Sequence, residues 1–261
     1  LRLNPAWAIE LGAPDHGWGY RDGAGKRITD RDEIDRLNAI ALPPAYVDAW
    51  FCPAANGHIL ATGYDARGRK QYRYHPDFRA RRESAKYDAC ASFGKKLPLV
   101  RRRVTEDIAA GVTREAALAA VVRLLDLSAI RIGNAHYART NESYGATTLR
   151  TEHAEVGRRK LALSFVGKGG KEHELEVEDS DLAKAVRRME NLDGDAGDHL
   201  FRYEDEDGAV HPVTSADVNG YLRETMGEDF TAKHFRTFHA SSLAFERLAT
   251  GKGTIKLAEM L

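Results

Sequence analysis

The chain has 261 residues, 43% of them hydrophobic, with 39 basic against 39 acidic side chains and so no net charge. That suffices for one large domain or two modest ones, while no apolar run approaches the ~20 residues of a membrane span and Leu1–Glu10 lacks the basic-then-apolar order of a secretory signal. Cys52 and Cys90 stand far apart without C-x-x-C spacing and read as free thiols of a reducing cytoplasm, not as a disulfide or zinc site.

The first 75 or so residues read as β-rich. Trp18–Tyr20, Asp22-Gly-Ala-Gly25 and Lys26–Ile28 look like a hairpin with a glycine-bearing turn. A short helix is expected over Asp30–Ala39. Val47–Cys52, Ile59–Tyr64 and Lys70–Tyr74 follow as strands, with turns at Asn56-Gly57 and Ala66-Arg-Gly68. From Ala66 to Val104 thirteen Lys/Arg face three Asp/Glu, while Asp193–Asp207 carries seven acids and one Arg. A protein that grips a polyanion needs a local basic surface, not a basic average, although a charge run is equally read as a solvated face.

After Pro76 the texture changes: a basic segment, about residues 76 to 104, is expected to join the β-rich part to a mainly helical one. Thr113 can cap a helix whose Leu118, Val121, Val122 and Leu125 share one face. Leu161, Leu163 and Phe165 alternate, Gly167-Lys-Gly-Gly170 turns, and His173, Leu175 and Val177 alternate again, which is a hairpin. Thr214-Ser-Ala-Asp217 reads as a capping box for a helix to about Met226, and another helix spans about Ala232–Ala249. The expected fold is α+β: a small antiparallel β-rich domain over residues 1–78, then a mainly α-helical domain over 79–261 containing the hairpin.

Three basic residues occupy distinct settings: Arg131 just past a helix, Lys168 at the hairpin tip, and Arg236 early in a helix. Such a set suits phosphoryl transfer on a DNA diester. Two guanidinium forks can hold the nonbridging oxygens, which a lysine point charge does less well. A lysine on a glycine turn can protonate the leaving 5′-oxygen. Each residue alone reads as ordinary surface chemistry; the combination carries the argument. No G-x-x-x-x-G-K-[ST] or H-E-x-x-H occurs. His234 and His239 are five apart, not metal-paired. The acids Asp193, Asp195 and Glu204–Asp207 read as a solvated loop rather than a magnesium cluster.

Leu127-Ser-Ala-Ile-Arg-Ile-Gly-Asn134 with Tyr137 and Asn141-Glu-Ser-Tyr-Gly-Ala-Thr-Thr-Leu149, then Phe165-Val-Gly-Lys168, then Lys233-x-x-Arg236-Thr237, resemble in order the catalytic segments of type IB DNA topoisomerases of the compact poxvirus-like kind. Asp65–Tyr74 is similar to that family's groove-contacting strand. The resemblance implies Arg131, Lys168, Arg236 and the auxiliary Lys233 as catalytic. It implies Arg69, Lys70, Gln71, Tyr72, Tyr74 and Tyr137 as DNA-binding. It further implies relaxation of supercoiled duplex through a 3′-phosphotyrosyl link, with no cofactor, metal or nucleotide, by a monomer in the nucleoid-associated cytoplasm. The family's tyrosine and assisting histidine follow the second arginine helix. Thr250–Leu261 contains neither, and His239 lies too near Arg236, so the natural chain is expected to continue for several tens of residues. A tyrosine recombinase shares this chemistry but typically shows H-x-x-R where this chain has Lys233. A DNA-binding module without catalysis is the reading from another class.

Overall fold

The computed structural model describes residues 9–11, 18–192, 194, 197–227 and 230–250. The chain forms two compact units, Leu1–Tyr87 and Asp88–Leu261. The expected α+β class is observed, with antiparallel sheets preceding a helical core.

In the first unit, β1 (Ile9–Leu11) pairs with β2 (Trp18–Tyr20), and β3 (Val47–Phe51), β4 (Ile59–Tyr64) and β5 (Lys70–Tyr74) form an antiparallel sheet with β4 central. Between them lies α1 (Arg31–Ala39), capped by Asp30, whose side chain accepts from Glu33 N. The hairpin expected at residues 18–28 is only partly formed. β2 pairs with β1, and the 21–27 turn is closed by a single Arg21–Arg27 bridge. The chain leaves the sheet there because Asp30 already caps α1. The unit's core gathers Tyr20, Leu37, Leu42, Ala49, Phe51 and Ala61.

One turn design occurs three times, in Asp22–Lys26, Asp65–Arg69 and Asp205–Ala209. In each, the aspartate Oδ1 accepts two backbone N–H groups, two and four residues on, at 2.8–3.1 Å. The fourth residue is Gly25, Gly68 or Gly208, with φ of 80°, 68° and 78°. A side chain would be strained at that φ, so D-x-x-G-x specifies the turn. Asp205 is thereby a turn residue, its Oδ2 also 2.7 Å from His211 Nε2. Asp193 and Asp195 lie outside the described residues. Among the described residues no acid, histidine or cysteine cluster could hold a metal, and no helix is long and apolar enough to cross a membrane.

The basic stretch after Pro76 is one continuous helix, α2 (Pro76–Asp107), with Pro98 inside it. In the second unit α3 (Arg114–Ser128), capped by Thr113, is the central element. Ala116–Val122, Leu124 and Leu125 are all fully or nearly fully buried, so α3 is enclosed on every side and not merely along one stripe. Around it come α4 (Ala135–Asn141), the antiparallel sheet β6 (Ala154–Val156), β7 (Lys160–Val166) and β8 (Glu172–Glu178), and α5 (Ser180–Glu190). The ribbon β9 (Arg202–Glu204) and β10 (Val210–Pro212) follows, then α6 (Ser215–Met226) and α7 (Lys233–Ala249). The Thr214–Asp217 capping box is present as expected, and β7–β8 is the expected hairpin, widened by β6.

Candidate active site

Three separate segments of the second unit meet at one open pocket. It is lined by Ile130, Arg131, Tyr144, Phe165, Gly167, Lys168, Lys171, His173 and Arg236. Arg131, Lys168 and Arg236, scattered over a hundred residues of sequence, therefore lie together.

Arg131 is held by its backbone. α3 ends on Ala129 in the left-handed conformation, φ 50°, which turns the chain out of the helix. The Arg131 carbonyl accepts from Ala146 N at 2.8 Å, and the Ile132 carbonyl accepts from Thr147 N and Thr147 Oγ1 at 2.7 and 2.9 Å. A Cβ on Gly145 would stand 2.5 Å from the Arg131 carbonyl, so only glycine lets the two strands of this loop touch. Tyr144 N donates to the Val166 carbonyl at 2.8 Å, tying the same loop to the lysine hairpin.

Lys168 is exposed at the tip of β7–β8. The turn is closed by Gly167 N donating to the Lys171 carbonyl at 2.7 Å and Gly170 N to the Gly167 carbonyl at 3.1 Å. Arg236, half-buried one turn into α7, donates Nη1 to the Ala129 carbonyl at 2.5 Å. This bond ties the second arginine to the helix end that launches the first.

Burial, and then the neighbouring Arg131, hold the Arg236 guanidinium below its ordinary value. Burial, then Lys171, Arg236 and Arg131, push the His173 imidazole down. Among the described residues the charged groups lining the pocket are all basic. Like charges gathered at one pocket repel one another, and an anion received there relieves that repulsion.

Around the buried carboxylate of Asp126, side chains from three helices meet. Asp126 of α3, 6% exposed, accepts from Arg101 Nε and Nη2 of α2 at 2.8 and 3.1 Å. It also stands 3.4 Å from His239 Nε2 of α7. Burial pushes its carboxyl up, and His239 and Arg101 more than reverse this, leaving it below the usual range. His239 thus faces the Asp126 carboxylate and does not line the pocket. His234 takes the backbone N–H of Thr231 on Nδ1 at 3.0 Å at the start of α7.

The other expected site residues are dispersed. Lys233 is exposed in the first turn of α7 and does not line the pocket. Tyr137, on α4, is 56% exposed and likewise outside it. On β5, Lys70, Tyr72 and Tyr74 share the face away from the core. The two tyrosines stack at 6.0 Å, and Lys70 Nζ lies 6.0 Å from the Tyr72 ring centroid. Gln71 points to the other face and gives its amide to Asp65 Oδ2 at 2.9 Å, beside Arg69 Nε at 2.9 Å. That pairing with Arg69, reinforced by backbone N–H groups, pulls the Asp65 carboxyl down to about 2.

Tyr144, Lys171 and His173 line the pocket without having been singled out from the sequence. The hairpin alternation already contained the signal for His173, which is the cross-strand partner of Phe165.

Residues 75–259 match the family model for the catalytic core of eukaryotic DNA topoisomerase I, and residues 17–65 match that for the N-terminal domain of bacterial DNA topoisomerase IB. DNA topoisomerase 1B of Acanthamoeba polyphaga mimivirus is 32% identical over 221 residues, 83% of this chain and 65% of that protein. DNA topoisomerase 1B of Vaccinia virus (strain Copenhagen) is 28% identical over 126 residues, 47% of this chain and 39% of that protein. The chain thus spans less than two thirds of each. A solved XerH site-specific recombinase bound to its difH substrate shows a TM-score of 0.39 at 14% identity, covering 59% of this chain and 43% of that one, and at that score decides nothing. With the core model covering well over half of its residues, the chain belongs to the type IB DNA topoisomerase I family.

Proposed function

We propose that this chain carries the phosphoryl-transfer site and a duplex-binding surface of an enzyme that relaxes supercoiled DNA. The observation that carries the reading is the meeting of Arg131, Lys168 and Arg236 in one pocket.

In this reading a scissile phosphate enters the pocket. A tyrosine hydroxyl attacks phosphorus, the bond to the 5′-oxygen breaks, and a 3′-phosphotyrosyl link forms. Arg131 and Arg236 hold the two nonbridging oxygens, whose negative charge grows in the transition state. Lys168, mobile on its glycine turn, gives a proton to the departing 5′-oxygen, and Lys233 is an auxiliary proton donor or phosphate contact. The reverse step reseals the strand. One ester replaces another, so no ATP is needed, and the two arginines and the lysine supply the charge and the proton that a metal ion would otherwise provide. Tyr221 is unsuited as the nucleophile, because its buried hydroxyl donates to Asp107 at 2.9 Å and burial with that bond pushes its ionisation far up. Lys70, Tyr72 and Tyr74 offer a cationic aromatic face to duplex DNA, with Arg69, Gln71 and Tyr137 as further contacts.

The test is incubation of the whole protein with negatively supercoiled plasmid lacking any special site, without ATP and with EDTA. Relaxation with a trapped covalent adduct on a tyrosine other than Tyr221 is expected. Failure to relax, or a need for paired specific sites as in a recombinase, contradicts the reading.

A further inference from the structure

Resting on the phosphoryl-transfer reading above, we propose that His173 is a positioning residue whose imidazole is the seat for the Lys168 turn, setting where the lysine stands when a phosphodiester fills the pocket. The register of β7 and β8 places His173 opposite Phe165, and the two rings stack at 5.1 Å with 20° between their planes. The Cδ2 and Nε2 atoms of the imidazole then lie against Gly167, the residue before Lys168. A Cβ at Gly167 would fall 2.5 Å from its Cδ2 and 2.6 Å from its Nε2, so backbone-on-ring contact needs glycine there.

The rest of the tip has little to define it. Gly169 and Gly170 adopt φ of 81° and 77°, and a Cβ built on either meets nothing within 4 Å. A lysine followed by two such glycines has many accessible positions, and holding it near one geometry is worth a large rate factor. The ring supplies that fixed surface.

The groups facing it are Lys168 and Lys171 from the hairpin, Arg131 from the loop after α3, and Arg236 from α7, all cationic. Burial first, then Lys171, Arg236 and Arg131, push its ionisation down and so disfavour a further positive charge at the seat.

The experiment compares single-turnover strand cleavage with equilibrium duplex binding in the whole protein. The variants are His173→Ala, Gly167→Ala, the two combined, and His173→Phe. Each alanine variant should slow cleavage by about tenfold or more while duplex affinity changes by less than about threefold. The double variant should be no slower than the worse single, because both remove one contact. His173→Phe, which keeps a flat ring, should recover most of the rate lost in His173→Ala. If His173→Ala folds poorly, as seen in its melting curve, His173→Leu, with bulk but no flat ring, takes its place.

Cleavage at the wild-type rate in His173→Ala, losses that multiply in the double variant, or equal losses in binding and cleavage would each overturn the seat alone. A wild-type protein that cleaves no DNA overturns the reading beneath it.

Discussion

Arg236 donates its guanidinium to the carbonyl of Ala129, the left-handed residue that ends α3 two positions before Arg131. One arginine is thereby fixed to the backbone that carries the other, which holds the two like charges at one pocket.

Arg236→Lys loses the fork that can hold both this carbonyl and a phosphate oxygen. Cleavage and religation should each fall by about 100-fold, the usual cost of one transition-state donor. Duplex affinity should change by less than about threefold. Quench-flow cleavage with a parallel binding titration checks this, and equal losses in both count against the role.

Asp126→Ala removes the carboxylate at which side chains of α2, α3 and α7 meet. A wholly buried pair broken on one side costs about 3–5 kcal/mol, but Arg101 is half exposed and water screens its share. A loss of about 2 kcal/mol in denaturant unfolding is expected, and a loss near zero would show that the pairing is idle.

Stability should fall in two steps on acidification. Burial above all holds His153, His173 and His199 below the ordinary 6.5. As pH drops through 6.5 the unfolded chain takes protons first, so folding weakens between there and the folded values. Asp126, held below 3.8, contributes stability above that value that is lost as pH falls through its folded range. Melting temperature against pH should be flat above about 7.5, decline below 7 and decline again below 4. A rise on going from pH 7.5 to 6 would contradict these assignments.

Lys70→Ala on the exposed face of β5 should weaken duplex binding at every sequence and reduce the slope of log affinity against log salt by about 1. Gln71→Ala should act more weakly, because its amide already serves Asp65. A larger effect from Gln71 would mean that the turn opens on DNA.

Much of the fold could be read from local signals. Thr113, Asp30 and the Thr214–Asp217 box announce helix starts through side chains that replace missing backbone partners. The alternation of Leu161–Phe165 against His173–Val177 fixes a hairpin register. α2 was not legible, because Pro98 and its dense basic residues hide a helix held by tertiary packing: Phe93, Leu97, Val100 and Val104 are buried against the core. The β1–β2 pairing was equally hidden, because a strand of three residues such as Ile9–Leu11 is too short to show an alternation. At the site, Arg131, Lys168 and Arg236 were visible as motifs, but their shared pocket depends on long-range bonds such as Tyr144 N to the Val166 carbonyl. The distant Asp126–His239 contact was likewise beyond reach.

The most direct measurement of the central claim uses DNA whose scissile 5′-bridging oxygen is replaced by sulfur. A thiol's pKa of about 8.5 lets it leave without a proton, whereas an alkoxide cannot. Lys168→Ala should cleave ordinary DNA about 100-fold or more slowly than the wild type and regain nearly the full rate on the sulfur substrate, while Arg131→Ala and Arg236→Ala stay slow on both. Equal slowing of Lys168→Ala on the two substrates would contradict its place as proton donor at the pocket it shares with the two arginines.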